Sequence, residues 1–419
     1  MRAVGLIVEY NPLHNGHVYH CRESRRLSGA DAVVCVMSGH FLQRGEPALA
    51  NKWARTEMAL RMGADLVLEL PVAYACQPAE WFAYGAVSVL DATGCVDALC
   101  FGSESGDLRS LDAAAGVLAS EPPSMREDLR TRLKSGVPYP AAYAGAAAEA
   151  IRRQAEDAGA EAPDLSQPNN SLGLHYLLAL RRLRSRIEPL TIPRLKAGYL
   201  QREITDESIA SATALRRLLG EGADLDALKP YVPASTLDVL RSEWRAGRAP
   251  MSWDRFAGAL FHELYAADAD ELALRFDVRE GIENRLKQAL AGGGFDPHSP
   301  GAVDRLLDAL KTKRYTRTAL QRMLLRILLH HRKSDLPPER LAAGAPYIRV
   351  LGFTGRGREL LKRMRRTARV PVVVRAAASD DPWLAMDIRA SAVYALAYPR
   401  RQPDAVRWDY TRPPLQLDR

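Results

Sequence analysis

The sequence has few of the features that mark secreted, membrane-spanning or zinc-stabilised proteins. It has only 5 Cys, none of them in a CxxC pair, which argues against a disulfide framework or a zinc site and favours buried, reduced thiols. No apolar run reaches the roughly 18 residues that a membrane helix needs. The first residues lead into an acid and polar loop residues without a small-residue cleavage site. We therefore expect a cytoplasmic protein with no membrane association.

The bulk composition is that of an ordinary globular protein, with 47% hydrophobic and 26% charged residues. A chain of 419 residues is too long for one typical core, so two or three domains are expected. We find no internal repeat and no low-complexity linker. The change in pattern described below predicts a domain of residues 1–222 and a C-terminal region of residues 223–419.

The first hundred residues alternate between short apolar strands and amphipathic helices. This pattern is typical of βαβ units, in which a parallel sheet is covered by helices on both faces. We therefore predict an α/β, Rossmann-like parallel sheet with right-handed crossovers. The predicted strands are 3–8, 32–37, 66–70, 98–101 and 187–192, and the helices between them include 17–27, 48–62, 79–91 and 171–183.

From about residue 223 the pattern becomes mainly helical, with two further predicted strands at 347–351 and 370–374. We interpret this region as a mostly helical α+β domain. It is also basic: residues 311–369 contain 17 Lys or Arg against three acids, a net charge of +14, so the rest of the chain sums to −6. A polyanion partner and a solvated helix face explain this block equally well on composition alone.

Two histidines three residues apart follow the first predicted strand. Ligands of open parallel sheets bind at the carboxyl ends of the strands, and a helix that begins there offers N–H groups to phosphates. His14 and His17 would lie on one edge of this helix start, with Gly16 between them leaving room for a close ligand. Two imidazole donors could stabilise charge on a reacting phosphate. A His-x-x-His metal site is the alternative, but no third ligand is placed for it by sequence.

A second element supports a phosphate site. Residues 209–216 place Ser211, Thr213 and Arg216 at and just inside a predicted helix start. Helix capping is the structural explanation for either hydroxyl. The strand–Pro–HxGH–helix context resembles the signature of the nucleotidylyltransferase superfamily, and this run resembles the element that holds the β- and γ-phosphates there.

Taken together, these motifs resemble one family, the bacterial tRNA(Met) cytidine acetate ligases. The likeness runs from residue 1 to about residue 395. It includes the polar residues 36–47 and 52–55, and further short motifs at 101–104, 168–170, 193–194 and 311–316. The first of these segments leaves two possibilities open for Lys52, Arg55 and Arg44: contact with phosphate or tRNA, or charges on a surface helix.

The resemblance implies a two-step reaction. ATP and acetate give acetyl-adenylate and pyrophosphate, and the acetyl group then passes to N4 of the wobble cytidine of elongator tRNA(Met). The residues expected to be catalytic are His14, His17, Ser211, Thr213 and Arg216. The ATP contacts implied by matching position are Ile7, Val8, Glu9, Tyr10, Asn11, Pro12, Leu13, His14, Asn15, Gly16, His17, Val18, Tyr19, His20, Gly102, Asn169 and Arg194.

Magnesium is expected to bridge the phosphates, with no metal site built from protein side chains alone. Cations of the basic block are expected to contact the tRNA backbone, and no obligatory protein partner is evident. The first of these cations are Lys311, Lys313, Arg314 and Arg317, followed by Arg322, Arg363, Arg365 and Arg366. Two other functions fit parts of the sequence. They are an adenylyltransferase acting on a small molecule, which does not need the basic region, and a non-catalytic RNA-binding protein, which does not need the HxGH residues.

Overall fold

The computed structural model of the chain describes residues 1–137, 139–157, 159, 161–193, 210–312 and 314–418. Its centre is one mixed sheet. The strands are β1 (Ala3–Val8), β2 (Ala32–Ser38), β3 (Leu66–Leu70), β4 (Ala98–Ser103), β5 (Glu188–Pro193), β6 (Ile348–Thr354), β7 (Val372–Val373) and β8 (Leu415–Leu417).

The strand order is β5-β4-β1-β2-β3-β6-β7, and β8 pairs with β6 beside β7. The strands from β5 to β3 are parallel, as predicted. The predicted bounds of β1 and β3 agree with the structure, whereas β4 continues two residues further, to Ser103. The α/β class with a mainly parallel sheet is therefore confirmed.

The sheet also includes strands from the C-terminal region. β6 runs antiparallel to β3, with Leu66 opposite Phe353 and Glu69 opposite Arg349. β7 and β8 both lie parallel to β6. One sheet thus contains strands from both sides of residue 222, and the boundary proposed there remains a prediction.

Helices flank the sheet and form most of the remaining chain. Those before residue 222 are α1 (Asn15–Ser28), α2 (Lys52–Met62), α3 (Val72–Ala75), α4 (Ala79–Ala92), α5 (Leu108–Ser120), α6 (Pro123–Lys134), α7 (Tyr139–Asp157), α8 (Pro168–Arg182) and α9 (Ala212–Gly220). Those after it are α10 (Ala234–Arg245), α11 (Ala257–Ala266), α12 (Ala269–Ala273), α13 (Ile282–Ala291), α14 (Ala302–Leu310), α15 (Arg317–Leu328), α16 (Pro338–Ala342), α17 (Gly355–Thr367), α18 (Pro382–Leu396) and α19 (Trp408–Thr411).

Both faces of the sheet are buried, which explains the continuous apolar strands. Successive side chains of β3 enter different cores: Leu66 and Leu68 pack in the cluster that contains α4, and Val67 packs in the cluster that contains α2. All five cysteines are buried and free, as expected. Among the described residues, none of the helices combines the length and apolarity needed to cross a bilayer.

The side chains of two cations of α2, Lys52 and Arg55, are buried inside the protein. The ammonium of Lys52 lies 2.9 Å from Glu69 on β3 and 2.8 Å from Asp409 on α19, and its side chain is 0% exposed. Arg55 is also 0% exposed and donates hydrogen bonds to backbone carbonyls. Both possibilities left open for these two residues are therefore wrong: they are internal links between α2, the sheet and the C-terminus.

We expect Lys52→Met to destabilise the protein by about 3–5 kcal/mol, because it would remove the cation between two buried carboxylates and leave Asp409 with Arg349 at 3.6 Å. The free energy of unfolding from denaturant titration measures this. The matched control is Lys362→Met on α17, whose exposed pair with Glu359 should contribute less than about 1 kcal/mol. A similar loss in both variants would contradict a structural role for Lys52.

Candidate active site

An open cleft of about 260 Å³ lies at the carboxyl ends of β1, β4 and β5. The first turns of three helices, α1, α8 and α9, contribute to its wall. Its lining residues from these elements are Ile7, Val8, Glu9, Tyr10, Asn11, His14, Gly16, His17, Tyr19, His20, Phe101, Gly102, Asn169, Leu172, Tyr176, Ile192, Pro193, Ala210, Ser211, Ala212, Thr213 and Arg216.

The two histidines of the HxGH run cap the start of α1 reciprocally. The backbone N–H of Gly16 donates to Nδ1 of His14 over 3.1 Å, and the backbone N–H of His14 donates to Nδ1 of His17 over 3.2 Å. A backbone N–H can only donate, so both Nδ1 atoms are acceptors and each ring carries its proton on Nε2. The ring centroids are 3.8 Å apart. The capping bonds therefore fix two imidazole donors, whose ring planes are inclined by 31°, at one helix start.

Gly16 is required by the histidine pair itself. A Cβ at this position would lie 2.9 Å from Cε1 and 3.0 Å from Nδ1 of His14. Gly16 also lines the cleft, and the close approach of a ligand to its backbone stays a prediction. Tyr10, with a φ of 51°, packs edge-on against His17 at 5.0 Å between ring centroids.

Arg216 connects the second motif to the first. Its Nη1 donates to the carbonyl oxygen of Asn11 over 2.8 Å, and its Nη2 lies 3.4 Å from the carboxylate of Glu46. The Asn11 side chain in turn accepts a hydrogen bond of 2.7 Å from the backbone of Leu49. The predicted residues of the two motifs, more than 190 positions apart in the chain, therefore line one cleft.

Ser211 is the N-cap of α9 and accepts a hydrogen bond of 3.1 Å from the backbone of Ala214. Capping is thus a real role for Ser211, as the structural explanation required, while Thr213 lies in the first turn and lines the cleft. The first turns of α1 and α9 line the same space, whereas the first N–H groups of α8 donate to the carboxylate of Glu104. Helix N-termini such as those of α1 and α9 favour anions, so the geometry suits a polyphosphate.

The remaining predicted contacts fall into three groups. Gly102 and Asn169 line the cleft, and the Asn169 amide donates to Glu104 over 2.5 Å. His20 lines it too, but its Nε2 contacts the carbonyl of Cys100 at 3.2 Å, which ties α1 to β4. Arg194 lies outside the described residues. The cleft lining does not include Pro12, Leu13, Asn15 or Val18.

Sequence reasoning missed part of the wall. The loop between β2 and α2 contributes Leu42, Gln43 and Glu46, together with Arg44. Its polar composition after a buried strand was a usable signal. Phe82 and Tyr176 gave none, because an apolar residue on a helix is equally typical of core packing. In the part of the chain that the structure describes, no three His, Cys, Asp or Glu side chains cluster as a metal site would require.

Comparison with known proteins agrees with this geometry. A profile of the HIGH nucleotidyl transferase family matches residues 1–407. The tRNA(Met) cytidine acetate ligase of Acetivibrio thermocellus is 40% identical over 408 residues, which cover 95% of each chain. The ligase of Halalkalibacterium halodurans is 38% identical over 422 residues, covering 100% of this chain and 98% of that protein. The chain belongs to the tRNA(Met) cytidine acetate ligase family.

Solved structures resemble this member of the ligase family over its whole length. Thermotoga maritima TmcAL bound with alpha-thio ATP superposes with a TM-score of 0.87 at 32% identity, and the apo form with a TM-score of 0.88. Each likeness covers 100% of both chains. The Thermotoga maritima protein is thus known with an ATP analogue bound.

In this family member, the basic block is less uniform than its composition suggests. Arg326 and Arg349 are buried and donate to protein oxygens. Arg314 pairs with Glu280 at 2.7 Å, and Arg317 pairs with two acids of α14. Lys311 is exposed, and Lys313 lies outside the described residues. Part of the +14 charge therefore serves the fold or is paired locally.

We expect Arg216→Gln to weaken binding of an ATP analogue by at least about tenfold, because it removes both a cation and the bond that holds the Asn11 carbonyl. Isothermal titration calorimetry measures the change. The neighbouring Arg217→Gln is the control, since Arg217 is 49% exposed and pairs with Glu221 on the same helix. Equal loss in the two variants would remove Arg216 from the site.

Proposed function

We propose that this chain is an ATP-dependent ligase that activates acetate as acetyl-adenylate. It then transfers the acetyl group to N4 of the wobble cytidine of elongator tRNA(Met), giving N4-acetylcytidine. The observation that carries the proposal is that His14 and His17, with their protons on Nε2, line one cleft with the residues that begin α9. Full-length relatives named as tRNA(Met) cytidine acetate ligases, and a close structural neighbour bound with alpha-thio ATP, support it.

The first half-reaction needs positioning and neutralisation of charge. Acetate is already a nucleophile at neutral pH, so its carboxylate can attack the α-phosphorus without an activating base. In our proposal, His14 and His17 stabilise the charge that develops on the α-phosphate. Ser211, Thr213 and Arg216, together with the N–H groups that begin α9, hold the departing pyrophosphate.

The remaining ATP contacts follow from the cleft. The end of β1 and the turn into α1 would contact the nucleotide, together with Gly102 and Asn169, which line the same cleft. Arg194, outside the described residues, stays part of this proposal. Phe101 and Tyr176, with ring centroids 5.6 Å apart, offer an apolar wall that would suit the adenine.

Magnesium fits this site as an ion held mainly by phosphate oxygens. The described lining includes the carboxylate of Glu46, which lies 3.4 Å from Arg216. Mg²⁺ usually keeps several waters and uses one or two carboxylates with substrate phosphates, so a three-ligand protein site is not needed. When bound, the ion would neutralise charge on the triphosphate.

The tRNA-binding part of the proposal involves the start of α15. Gln321 on this helix donates to Glu46 of the cleft loop over 3.2 Å, and a side chain at Gly45 would collide with the backbone of Gln321 and Arg322. Arg317 lies four residues earlier, about one turn or 6 Å away along the helix. Arg317 is therefore close enough to the cleft to contact the backbone of a bound tRNA, and we propose that Lys311 and Arg314, which precede it in the chain, contact the same backbone. Because its substrate would be a tRNA, we also propose that the protein acts in the cytoplasm.

The test is to incubate the protein with ATP, labelled acetate and elongator tRNA(Met), and to analyse the tRNA nucleosides by mass spectrometry. N4-acetylcytidine that requires all three components is expected. Acetate-dependent exchange of pyrophosphate into ATP in the absence of tRNA tests the first half-reaction alone. Exchange that acetate does not stimulate would refute acetate activation. Adenylate transfer to a phosphorylated small molecule would instead identify an adenylyltransferase.

We expect His14→Ala and His17→Ala each to lower acetate-dependent pyrophosphate exchange by about 10²–10³-fold, because each removes one donor to the reacting phosphate. tRNA affinity, measured by filter binding, should change little. Circular dichroism melting checks the cap, since loss of a capping side chain costs only about 1 kcal/mol. Unaltered exchange in both variants would exclude the histidines from catalysis.

Charge reversal at Lys311 and Arg314 should have the opposite effect. tRNA affinity should fall, and the slope of its dependence on salt should become shallower by roughly one per lost phosphate contact. Pyrophosphate exchange should stay near the wild-type rate. The matched control is charge reversal of two cations on α6, Arg126 and Arg130. If the two pairs weaken tRNA binding equally, the contact is a general effect of charge.

A further inference from the structure

Among the described residues that line the cleft, Glu9 has a carboxylate oxygen that receives no hydrogen bond from them. Glu9 is the first residue after β1, and it is half-buried. Its Oε1 accepts hydrogen bonds from the backbone N–H of Gln43 at 2.8 Å and from the hydroxyl of Ser38 at 3.2 Å. Within the described residues no hydrogen bond reaches Oε2, although Glu9 lines the cleft. One oxygen is anchored and the other remains for a ligand.

The backbone of Glu9 is anchored as firmly as its side chain. The buried guanidinium of Arg55 donates to the carbonyl oxygens of Glu9 at 2.8 Å and of Ser38 at 3.0 Å, and also to that of Gly39. The ends of β1 and β2 are thus fixed by one side chain. This arrangement holds the carboxylate of Glu9 beside the HxGH turn, where Tyr10 packs on His17. Such support is what a reacting group requires.

The other described groups of the cleft that could accept a proton already have hydrogen-bond partners in the protein. Both oxygens of Glu46 have partners, Arg216 for Oε2 and Gln321 for Oε1. The Nδ1 atoms of His14 and His17 accept backbone hydrogen bonds, so these rings present protons and cannot take one. His20 contacts the carbonyl of Cys100 on β4. Of the lining acids that the structure describes, Glu9 is the one with an oxygen that receives no hydrogen bond from the protein.

The second half-reaction requires a proton acceptor. N4 of cytidine is an amine attached to an aromatic ring, and it must lose a proton when it is acylated. Resting on the function proposed above, we propose that Glu9 is a catalytic residue of acetyl transfer, and that its Oε2 accepts this proton. The N4 nitrogen forms a bond to the acetyl carbon, the bond from that carbon to the adenylate oxygen breaks, AMP leaves with the electron pair, and one N4 proton passes to Glu9.

The environment of Glu9 suits this role. Burial raises the pKa of its carboxyl above the ordinary value, although the bonds from Gln43 and Ser38 and the charge of Arg55 oppose the shift. A carboxylate of raised pKa is a stronger base.

The test separates the two half-reactions in Glu9→Gln, which keeps an oxygen for Gln43 and Ser38 but cannot accept a proton. Single-turnover acetyl transfer to tRNA should fall at least about 30-fold more than acetate-dependent pyrophosphate exchange does, because only transfer needs the proton acceptor. Hydroxylamine, a strong nucleophile that needs no base, should trap the adenylate as acetohydroxamate at a rate that falls no further than exchange does. Glu9→Asp should show the same split with a smaller loss, because it retains a carboxylate.

The control is Glu57→Gln, which removes a partly exposed acid of α2 that pairs with Arg61 outside the cleft, and which should alter neither half-reaction. The proposal is overturned if transfer by Glu9→Gln stays within threefold of wild type. It is also overturned if exchange, hydroxamate formation and transfer fall together, since Glu9 would then serve the nucleotide or its magnesium. If the Gln variant does not fold, the Asp variant decides by the same comparison. Failure of the wild-type protein to make N4-acetylcytidine would reject the proposed function itself.

Discussion

The site depends on the reciprocal capping of α1 by His14 and His17. Each Nδ1 accepts a backbone N–H, so the same bonds that start the helix also fix the tautomer of both rings. Gly16 must lack a side chain for this to occur, because His14 lies over it. Helix initiation and the orientation of two proton-bearing nitrogens are therefore one structural feature, and neither can be altered without the other.

Arginine and lysine side chains inside the protein position this feature. Arg55 fixes the ends of β1 and β2, and Arg216 fixes the turn before α1 through the carbonyl of Asn11. Lys52 joins α2 to β3 and to α19. Guanidinium groups suit this task because several donors lie in one plane and can hold several carbonyl oxygens at once. In this protein such cations act as structural anchors rather than as surface charges.

Much of the fold was predictable because buried parallel strands are continuously apolar and short, as in 3–8 and 66–70. The HxGH turn and the Ser211–Arg216 element were found from sequence because their residue types have few other uses in that pattern. The apolar wall was not, since Phe82 and Tyr176 have the composition of ordinary core helices. The burial of Lys52 and Arg55 was missed for a similar reason: their partners Asp409 and the β-strand carbonyls are distant in sequence or belong to the backbone.

The antiparallel strand β6 pairs with β3, a strand that is synthesised much earlier. It covers the outer edge of β3, so the N-terminal sheet is closed by residues some 280 positions further along. A polypeptide released from the ribosome only as far as residue 222 has that edge open, with backbone donors and acceptors available to any neighbouring strand. During synthesis, this edge of β3 therefore stays vulnerable to aggregation until β6, at Ile348–Thr354, has emerged.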